Sequence, residues 1–350
     1  MKKVLAIVLC LALVLGAFAG CGGGAKSEAN IAQFVFNFAD PQQGAVKDNC
    51  EKIYKDAGVK FMTYDAGDKQ AAQTDQLDTA ISKGATLLVV GMKDNSAAAN
   101  IAAKAKKAGI PLVFYNNEPA KEVVASYDKC WFVGTAPRGG GEMQGEMAAN
   151  FILKDFAKWD RNGDGYINYV MVRADLSQAE ANGRTEASKE VADKMLKDAG
   201  KKGLKQIGPD YLADDWSTKK GLDQMSIALT AYPISEKEGV ELVFCNNDGI
   251  ALGVMQALQA KGWCLGGYDN KFVPIVGVDA TVDCKVLIDA EKILGSAGQP
   301  AAKMAKYVTT VALNVFNGKE PLAGSDFKFE TGEKKLLMPY DPYPAALASK

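Results

Sequence analysis

The chain has 350 residues, enough for two domains of ordinary size, and its 48% hydrophobic and 24% charged residues are typical of a globular protein. Its formal net charge of -1 and the lack of a basic cluster argue against nucleic acid as a partner. The sequence contains no histidine, the commonest general base and transition-metal ligand, so its composition also disfavours an enzyme.

The first 20 residues have the pattern of an export signal. Two lysines precede an apolar run from Val4 to Phe18, which is too short for a permanent membrane span. Small residues then stand directly before Cys21, as in a bacterial lipobox. We expect Cys21 to be lipidated, with residues 21–29 as a flexible tether on the outer face of the cytoplasmic membrane, as in Gram-positive bacteria, or otherwise facing the periplasm. The open alternative is a soluble secreted protein with an accidental cysteine.

From Ile31 onward, short apolar runs alternate with longer amphipathic segments. We predict strands over Ile31 to Phe38, Val59 to Tyr64, Thr86 to Val90 and Pro111 to Tyr115, and helices over Gln43 to Asp56, Lys69 to Ser82, Ala97 to Lys107 and Gly141 to Lys158. Further strand-helix units begin near Asn168, Lys205, Glu241 and Val273. Unbroken apolar strands between amphipathic helices indicate parallel sheets covered on both faces. The pattern predicts two doubly wound α/β lobes joined by short crossings.

Five cysteines remain when Cys10 of the export signal and the lipidated Cys21 are set aside. Because their number is odd and their spacing is not that of a metal site, we predict free thiols. They are Cys50, Cys130, Cys245, Cys264 and Cys284. Cys245 lies in a strand pattern and is expected to be a small buried core residue.

Residues 160–168 match the first nine positions of an EF-hand calcium loop. Such a loop takes ligands from positions 1, 3, 5 and 9 and from the carbonyl of position 7, with glycine at position 6. In this sequence those places hold Asp160, Asn162, Asp164, Asn168, Tyr166 and Gly165. Position 12 is Met171, which a hard cation does not accept, so the last Ca²⁺ ligand must come from elsewhere. The alternative is an acidic turn that binds no ion.

Polar residues follow several of the predicted strands. They include Asp40, Asn116, Asn117, Asn246, Asn247 and Asp279. Ligands of open α/β sheets bind beyond the carboxyl ends of the strands. Each of these residues also suits a helix N-cap, but several amide and carboxylate groups together suit a polyol, whose hydroxyls both donate and accept hydrogen bonds.

The calcium loop, followed by a strand, resembles the glucose/galactose-binding proteins of sugar ABC transporters. The likeness continues through Asp75-Gln76-Leu77-Asp78, Asn116-Asn117-Glu118-Pro119, Asn246-Asn247-Asp248 and Val276-Gly277-Val278-Asp279. It implies a type I periplasmic binding protein with two lobes joined by a three-stranded hinge. The implied first lobe comprises residues 30–136 and 299–333, and the second comprises residues 137–298 and 334–350. It also implies that Glu241 completes the calcium site.

The resemblance implies a sugar pocket in which family residues are kept or replaced by hydrogen-bonding ones. The kept residues are Asp40, Arg184, Trp216, Asn247 and Asp279, and the replacements are Gln42, Gln178, Glu180 and Gln299. Gly91 replaces a family asparagine. Trp216 would stack on the sugar from one side only, because Gln42 stands where the family has an aromatic residue. The alternatives are an ordinary core tryptophan and, for Arg184, a surface ion pair.

The expected function is that of a monomeric extracytoplasmic receptor, not an enzyme, which delivers a monosaccharide to an ABC permease. Glucose or galactose is the first choice of ligand. One alternative is a sensory lipoprotein that presents the sugar to a chemoreceptor or a sensor kinase. Another is a carbohydrate-active enzyme in which Asp40, Glu180 and Asp279 act as paired carboxylates. The lipobox and the missing histidine argue against that enzyme.

Overall fold

The computed structural model describes residues 30–235 and 238–347, and the structural statements below concern those residues. The export signal, Cys21 and the tether lie outside them. The strands are β1 Ile31–Val35, β2 Phe61–Asp65, β3 Leu87–Val90, β4 Leu112–Asn116, β5 Cys130–Gly134, β6 Tyr166–Arg173, β7 Gly203–Gln206, β8 Tyr211–Leu212, β9 Leu242–Cys245, β10 Ile275–Asp279, β11 Gly295–Gly298, β12 Lys335–Leu337 and β13 Asp341–Tyr343.

These strands form two sheets, one in each lobe. The first has the order β12-β5-β4-β3-β1-β2, and the second has the order β13-β11-β10-β9-β6-β7, with β8 paired to β6. Within the described residues the pairings are parallel, except that β13 runs antiparallel to β11. The predicted fold class, two doubly wound α/β lobes, is confirmed.

The helices cover both faces of each sheet, as the apolar strands require. They are α1 Pro41–Asp56, α2 Gln70–Ser82, α3 Ala98–Ala108, α4 Lys121–Ala125, α5 Pro137–Lys154, α6 Phe156–Trp159, α7 Ala179–Asp198, α8 Thr218–Ala231, α9 Asp248–Gln259, α10 Val282–Asp289 and α11 Ala301–Phe316. The single helix predicted from Gly141 to Lys158 is in fact α5 and α6. Pro137 begins α5 early, and the non-helical backbone of Asp155 separates the two.

Strand β3 shows why the apolar strands have no polar face. Leu88 and Val90 pack into one buried cluster of the first lobe, whereas Leu87 and Val89 pack into a second cluster on the opposite face. Alternate side chains of a strand point to opposite faces, so a sheet with helices on both sides needs apolar residues at every position. The second lobe has one large core.

The described chain crosses between the lobes three times. The crossings follow β5, β11 and β12, and they contain Thr135, Gln299 and Tyr340 respectively. The predicted return to the second lobe at residue 334 is wrong, because Lys335–Leu337 pairs with β5 and Leu336 is buried in a first-lobe cluster. The third crossing therefore comes after Leu337.

The five cysteines are free, as predicted, and all five are buried, as was expected only of Cys245. Burial raises the pKa of the Cys50 and Cys130 thiols to about 12, which keeps them protonated and unreactive. In residues 30–235 and 238–347, no helix has both the length and the apolar composition needed to cross a membrane.

Candidate functional site

Residues beyond the carboxyl ends of strands in both lobes line a narrow cavity of about 20 Å³. The lining consists of Phe36, Asp40, Gln42, Gln43, Asn116, Asn117, Gln178, Glu180, Arg184, Trp216, Asn247, Asp279 and Gln299. The nine pocket residues predicted from the sequence are therefore brought together at one place. Gly91 is not among the lining residues, because the ring of Tyr115 occupies the space that a side chain there would need.

Asp40 and Gln42 come from the start of α1 in the first lobe. Asp40 is the N-cap, and its Oδ1 accepts a hydrogen bond from the backbone N–H of Gln43 at 2.8 Å. Burial raises the pKa of the Asp40 carboxyl, while this hydrogen bond opposes the rise. The Gln42 side chain donates to the backbone carbonyl of Gln299 at 2.6 Å, which ties the first lobe to the second crossing.

Glu180 lies in the first turn of α7 and is only 3% exposed. Its Oε1 accepts a hydrogen bond from the backbone N–H of Glu118 at 2.8 Å, whereas its buried Oε2 has no partner within the described residues. Burial raises the pKa of Glu180 to about 7. Its carboxyl can therefore act as a donor or an acceptor near neutral pH.

Arg184 lies one turn further along α7, on the same face as Glu180. Its guanidinium donates to the carbonyl of Asn246 at 2.9 Å and to the hydroxyl of Tyr340 at 3.4 Å, and it lies 5.7 Å from the ring centre of Trp216. Burial alone would lower the pKa of Arg184, but the Tyr340 hydroxyl and the Asp279 carboxyl raise it above its ordinary value. The charge is therefore retained although the side chain is buried. Arg184 is therefore not part of a surface ion pair.

Asp279 ends β10 and meets the second crossing. The Gln299 side chain donates to Asp279 Oδ1 at 2.7 Å, and Thr135 of the first crossing donates to Gln299 Oε1 at 3.3 Å. Burial raises the pKa of Asp279 well above its ordinary value, although Arg184 nearby opposes the rise. The hydroxyl of Tyr340 in the third crossing lies 2.8 Å from Thr135 Oγ1. One hydrogen-bond network thus joins the three crossings to the cavity.

Four residues at the strand exits adopt left-handed backbone conformations that are uncommon outside glycine. They are Asn116 (φ 67°), Trp216 (φ 63°), Asp279 (φ 117°) and Ala280 (φ 52°). Such conformations cost about 1–3 kcal/mol each and concentrate at functional sites. At Trp216 the conformation is accompanied by a hydrogen bond from the Asn247 side chain to its carbonyl at 3.3 Å. The backbone is thus strained where it presents the cavity-lining side chains.

Four lining residues were not in the predicted site. Asn116 and Asn117 were recognised as a polar strand end, and Gln43 follows directly on the predicted Gln42. Phe36 was missed because the first strand was expected to continue to Phe38, whereas it ends at Val35. Phe36 of the first lobe and Trp216 of the second both line the cavity, and the expectation that only Trp216 stacks on the sugar stays a prediction.

The predicted calcium loop lies between α6 and β6, and Glu241 lies beside it. Glu241 Oε1 accepts from the backbone N–H of Arg161 at 2.7 Å, and Oε2 accepts from that of Asn168 at 2.8 Å. Burial raises the pKa of Glu241, and the neighbouring Asp160 raises it further. The loop and the start of β9 are thus adjacent, as the resemblance implied.

Two oxygens of the loop, Asp160 Oδ1 and Asn168 Oδ1, are buried and lack partners in the described residues. Buried oxygens without donors are what a cation would satisfy. No group of three or more His, Cys, Asp or Glu side chains able to hold a metal ion occurs in residues 30–235 and 238–347. A calcium ion at this loop would need a mixed set of carboxylates, amides and one carbonyl.

A second cavity of about 440 Å³ lies between α4 and the segment that precedes β12. Four of its charged groups are already paired with one another, since Lys121 contacts Glu333 at 2.8 Å and Lys335 contacts Glu118 at 2.7 Å. Apolar residues such as Phe132 and Phe329 form the rest of its lining. The strand ends and their strained residues are at the smaller cavity, which is therefore the better candidate.

A family model described as a periplasmic binding protein domain matches residues 31–320. The chain therefore belongs to the periplasmic binding protein family, and it is a binding protein rather than an enzyme. The resemblance drawn from its motifs is confirmed at the level of this family.

Individual relatives are similar over nearly their whole length. The D-galactose/methyl-galactoside binding periplasmic protein MglB of Haemophilus influenzae is 27% identical over 315 residues, which is 90% of this chain and 89% of that protein. The ribose import binding protein RbsB of Bacillus subtilis is 24% identical, covering 91% of this chain and 95% of that protein.

Among solved structures, a solute binding protein from Clostridium phytofermentans with bound β-D-glucose is 20% identical, with a TM-score of 0.70, over 89% of this chain and 92% of that one. Another, from Bacillus halodurans with bound myo-inositol, is 22% identical, with a TM-score of 0.68, over 93% of this chain and 100% of that one. At this identity the two likenesses show the fold.

Proposed function

We propose that the protein is the sugar-binding receptor of an ABC importer and that its lobes close on a monosaccharide. The observation that carries this proposal is a polar cavity with unsatisfied atoms. Trp216 Nε1, Arg184 Nε and Glu180 Oε2 are buried and have no partner within the described residues. Leaving such groups unpaired is costly, and sugar hydroxyls can both donate and accept.

The charges of the lining favour a neutral ligand. Three carboxyl groups, those of Asp40, Glu180 and Asp279, face one guanidinium, that of Arg184. An anionic ligand would add negative charge to this buried set, which is unfavourable. The hydroxyl groups of a neutral polyol instead donate hydrogen bonds to the carboxylates and accept hydrogen bonds from Arg184.

Glucose or galactose is the first choice among monosaccharides. The similarity to the galactose-binding protein MglB covers 90% of the chain. The resemblance to the glucose/galactose-binding proteins implies that five lining residues keep that family's pattern, namely Asp40, Arg184, Trp216, Asn247 and Asp279. The aromatic side chains of Trp216 and Phe36 can contact the C–H faces of a pyranose. The glutamine replacements keep hydrogen-bonding capacity at the other positions.

The test is calorimetric titration with a panel of hexoses, pentoses and inositol, together with amino acids and anionic sugars. We expect binding to a neutral monosaccharide, and little binding to an analogue that lacks one of the recognised hydroxyls, because the buried partner would then be left unpaired. Binding to an amino acid or an anionic ligand alone would overturn the sugar assignment. Tight binding to a pentose alone would overturn the choice of glucose or galactose.

The permease, the anchor and the ion complete the proposal. An ABC permease is the partner that fits the family, and Cys21 would hold the receptor at the membrane beside it.

We also propose a structural Ca²⁺ held by Asp160, Asn162, Asp164, Tyr166, Asn168 and Glu241. Its support is the pair of unpartnered oxygens in the loop and the carboxylate of Glu241 close to Asp160. The ion would neutralise these carboxylates and join the loop to β9.

A further inference from the structure

Asp248 is a fully buried carboxylate that does not line the cavity. It begins α9 directly after Asn247. Its Oδ1 accepts a hydrogen bond from the Ser296 hydroxyl at 2.6 Å, and its Oδ2 accepts from the backbone N–H of Thr281 at 2.7 Å and from the Thr281 hydroxyl at 3.1 Å. The donors of Ser296 and Thr281 therefore converge on one acid.

These donors belong to the segment that presents Asp279 to the cavity. Ser296 on β11 also accepts a hydrogen bond from the backbone N–H of Ala280 at 2.9 Å. Two consecutive backbone N–H groups are thus hydrogen-bonded. That of Ala280 donates to Ser296, which itself donates to Asp248, and that of Thr281 donates to Asp248 directly. Asp279 and Ala280 have positive φ values of 117° and 52°, which persist only when surrounding contacts fix them.

The sequence leaves room for this carboxylate beneath the strand. A Cβ atom at Gly277 would lie 2.4 Å from Asp248 Oδ1, so a larger residue at that position would displace the acid. Gly277 is on β10, two residues before Asp279. The glycine, the acid and the serine together form a buried support for the left-handed turn.

We propose that Asp248 is a positioning residue for ligand binding, which acts through Ser296 and Thr281 to fix the conformation of the Asp279 carboxylate without touching the ligand. This inference rests on the proposed function, since it takes Asp279 to be a sugar-binding group. Asp248 would then influence the affinity for a sugar, through the sugar hydroxyl that donates a hydrogen bond to Asp279.

The first test is a double-mutant cycle measured by calorimetry with the preferred sugar. Ser296→Ala removes the acceptor of the Ala280 N–H. Asp248→Asn weakens the hydrogen bonds that Asp248 accepts from Ser296 and Thr281. We expect each to lower affinity about tenfold or more in the wild-type background. In an Asp279→Asn background the further loss should fall below about twofold, because the group being positioned is already changed. Ser188→Ala, an equally buried serine whose hydroxyl bonds within α7, is the matched control.

Equal losses in both backgrounds would mean that Asp248 acts generally on the fold, and they would overturn the proposal. A second readout needs no sugar. Backbone hydrogen exchange at Ala280 should be slow in the wild type and at least tenfold faster in Ser296→Ala. Unchanged exchange would also overturn the proposal. If the wild type binds no sugar, the proposed function fails, whereas the exchange result still decides whether the network fixes the turn.

Discussion

The backbone N–H of Glu118 donates a hydrogen bond to Oε1 of Glu180 across 2.8 Å. Glu118 follows β4 in the first lobe, and Glu180 begins α7 in the second, so this bond joins the lobes directly. The Gln178 side chain makes a second such bond, to the carbonyl of Lys93 at 2.7 Å. Both bonds can exist only while the lobes are together, so the structure shows a closed arrangement.

We predict that ligand shifts the protein toward this arrangement in solution. Contacts from both lobes form only when the cleft is closed, and a ligand that binds the closed state better must increase its population. Small-angle X-ray scattering should therefore give a smaller radius of gyration at saturating sugar. Gln178→Ala should reduce affinity by removing one contact between the lobes. Identical scattering curves with and without saturating sugar would contradict the hinge mechanism.

Glu180 should make stability depend on pH. Burial raises its pKa to about 7 from an ordinary value of 4.5, so the native protein holds this proton up to higher pH than the unfolded chain does. Between pH 4.5 and 7 the native state binds more protons, and stability must fall as pH rises through that window. The expected contribution is on the order of 2 kcal/mol between pH 5 and 7.

Urea unfolding at several pH values checks this prediction. Glu180→Gln cannot titrate, so its free energy of unfolding should fall less between pH 5 and 7 than that of the wild type. Glu122→Gln, at an exposed position on α4, is the matched control and should keep the wild-type slope. A Glu180→Gln slope equal to the wild-type slope would show that Glu180 is not the group responsible.

Calcium should stabilise the folded protein. An ion bound only by the native state adds about 2.7 kcal/mol when its concentration is a hundredfold above Kd, so excess chelator should lower the melting temperature. Glu241→Gln should remove most of that difference, because the ion loses the carboxylate that joins the loop to β9. Glu238→Gln, an exposed glutamate paired with Lys205 at 3.2 Å, is the control. Equal melting temperatures with calcium and with chelator would leave the loop an ordinary turn.

Lipid anchoring depends on one residue. If Cys21 carries the lipid, Cys21→Ala should move the protein from the membrane fraction to the soluble fraction, because the acyl chains supply the apolar contact with the bilayer. Immunoblots of fractionated cells would measure this, and Cys50→Ala, which removes a buried thiol of the first lobe, is the control. Continued membrane association of Cys21→Ala would refute the lipobox interpretation.

Much of the site could be predicted because it follows a rule of topology. Parallel strands end at one edge of a sheet, so polar residues after them, such as Asn247 and Asp279, are close in space although distant in sequence. The resemblance to the glucose/galactose-binding proteins then indicated which other side chains to expect in the pocket. Local pattern did not reveal Phe36, because the alternation of Phe36, Asn37 and Phe38 continues a strand pattern beyond the end of the strand at Val35.

The other errors also arise where tertiary contacts decide the structure. Lys335–Leu337 is a strand of three residues, too short for periodicity to assign, and its lobe is set by pairing with β5. The positive φ value of Trp216 is likewise imposed by neighbouring elements, since a bulky aromatic residue does not favour that conformation. Gly91 is explained only by the ring of Tyr115, which lies against it in the folded chain.

The two aromatic residues of the cleft give the last prediction. Trp216 and Phe36 line the cavity from opposite lobes, and both are largely buried. An aromatic face contributes about 0.5–1.5 kcal/mol beyond the area it buries, so Phe36→Leu, which keeps an apolar side chain, should lower sugar affinity by about twofold to tenfold. Trp216→Ala removes the larger ring altogether and should lower affinity by well over tenfold. Phe38→Leu, two residues further on and outside the lining, is the matched control and should leave Kd unchanged. Calorimetry on the three variants measures these effects, and a Phe36→Leu affinity equal to that of Phe38→Leu would mean that only Trp216 contacts the sugar.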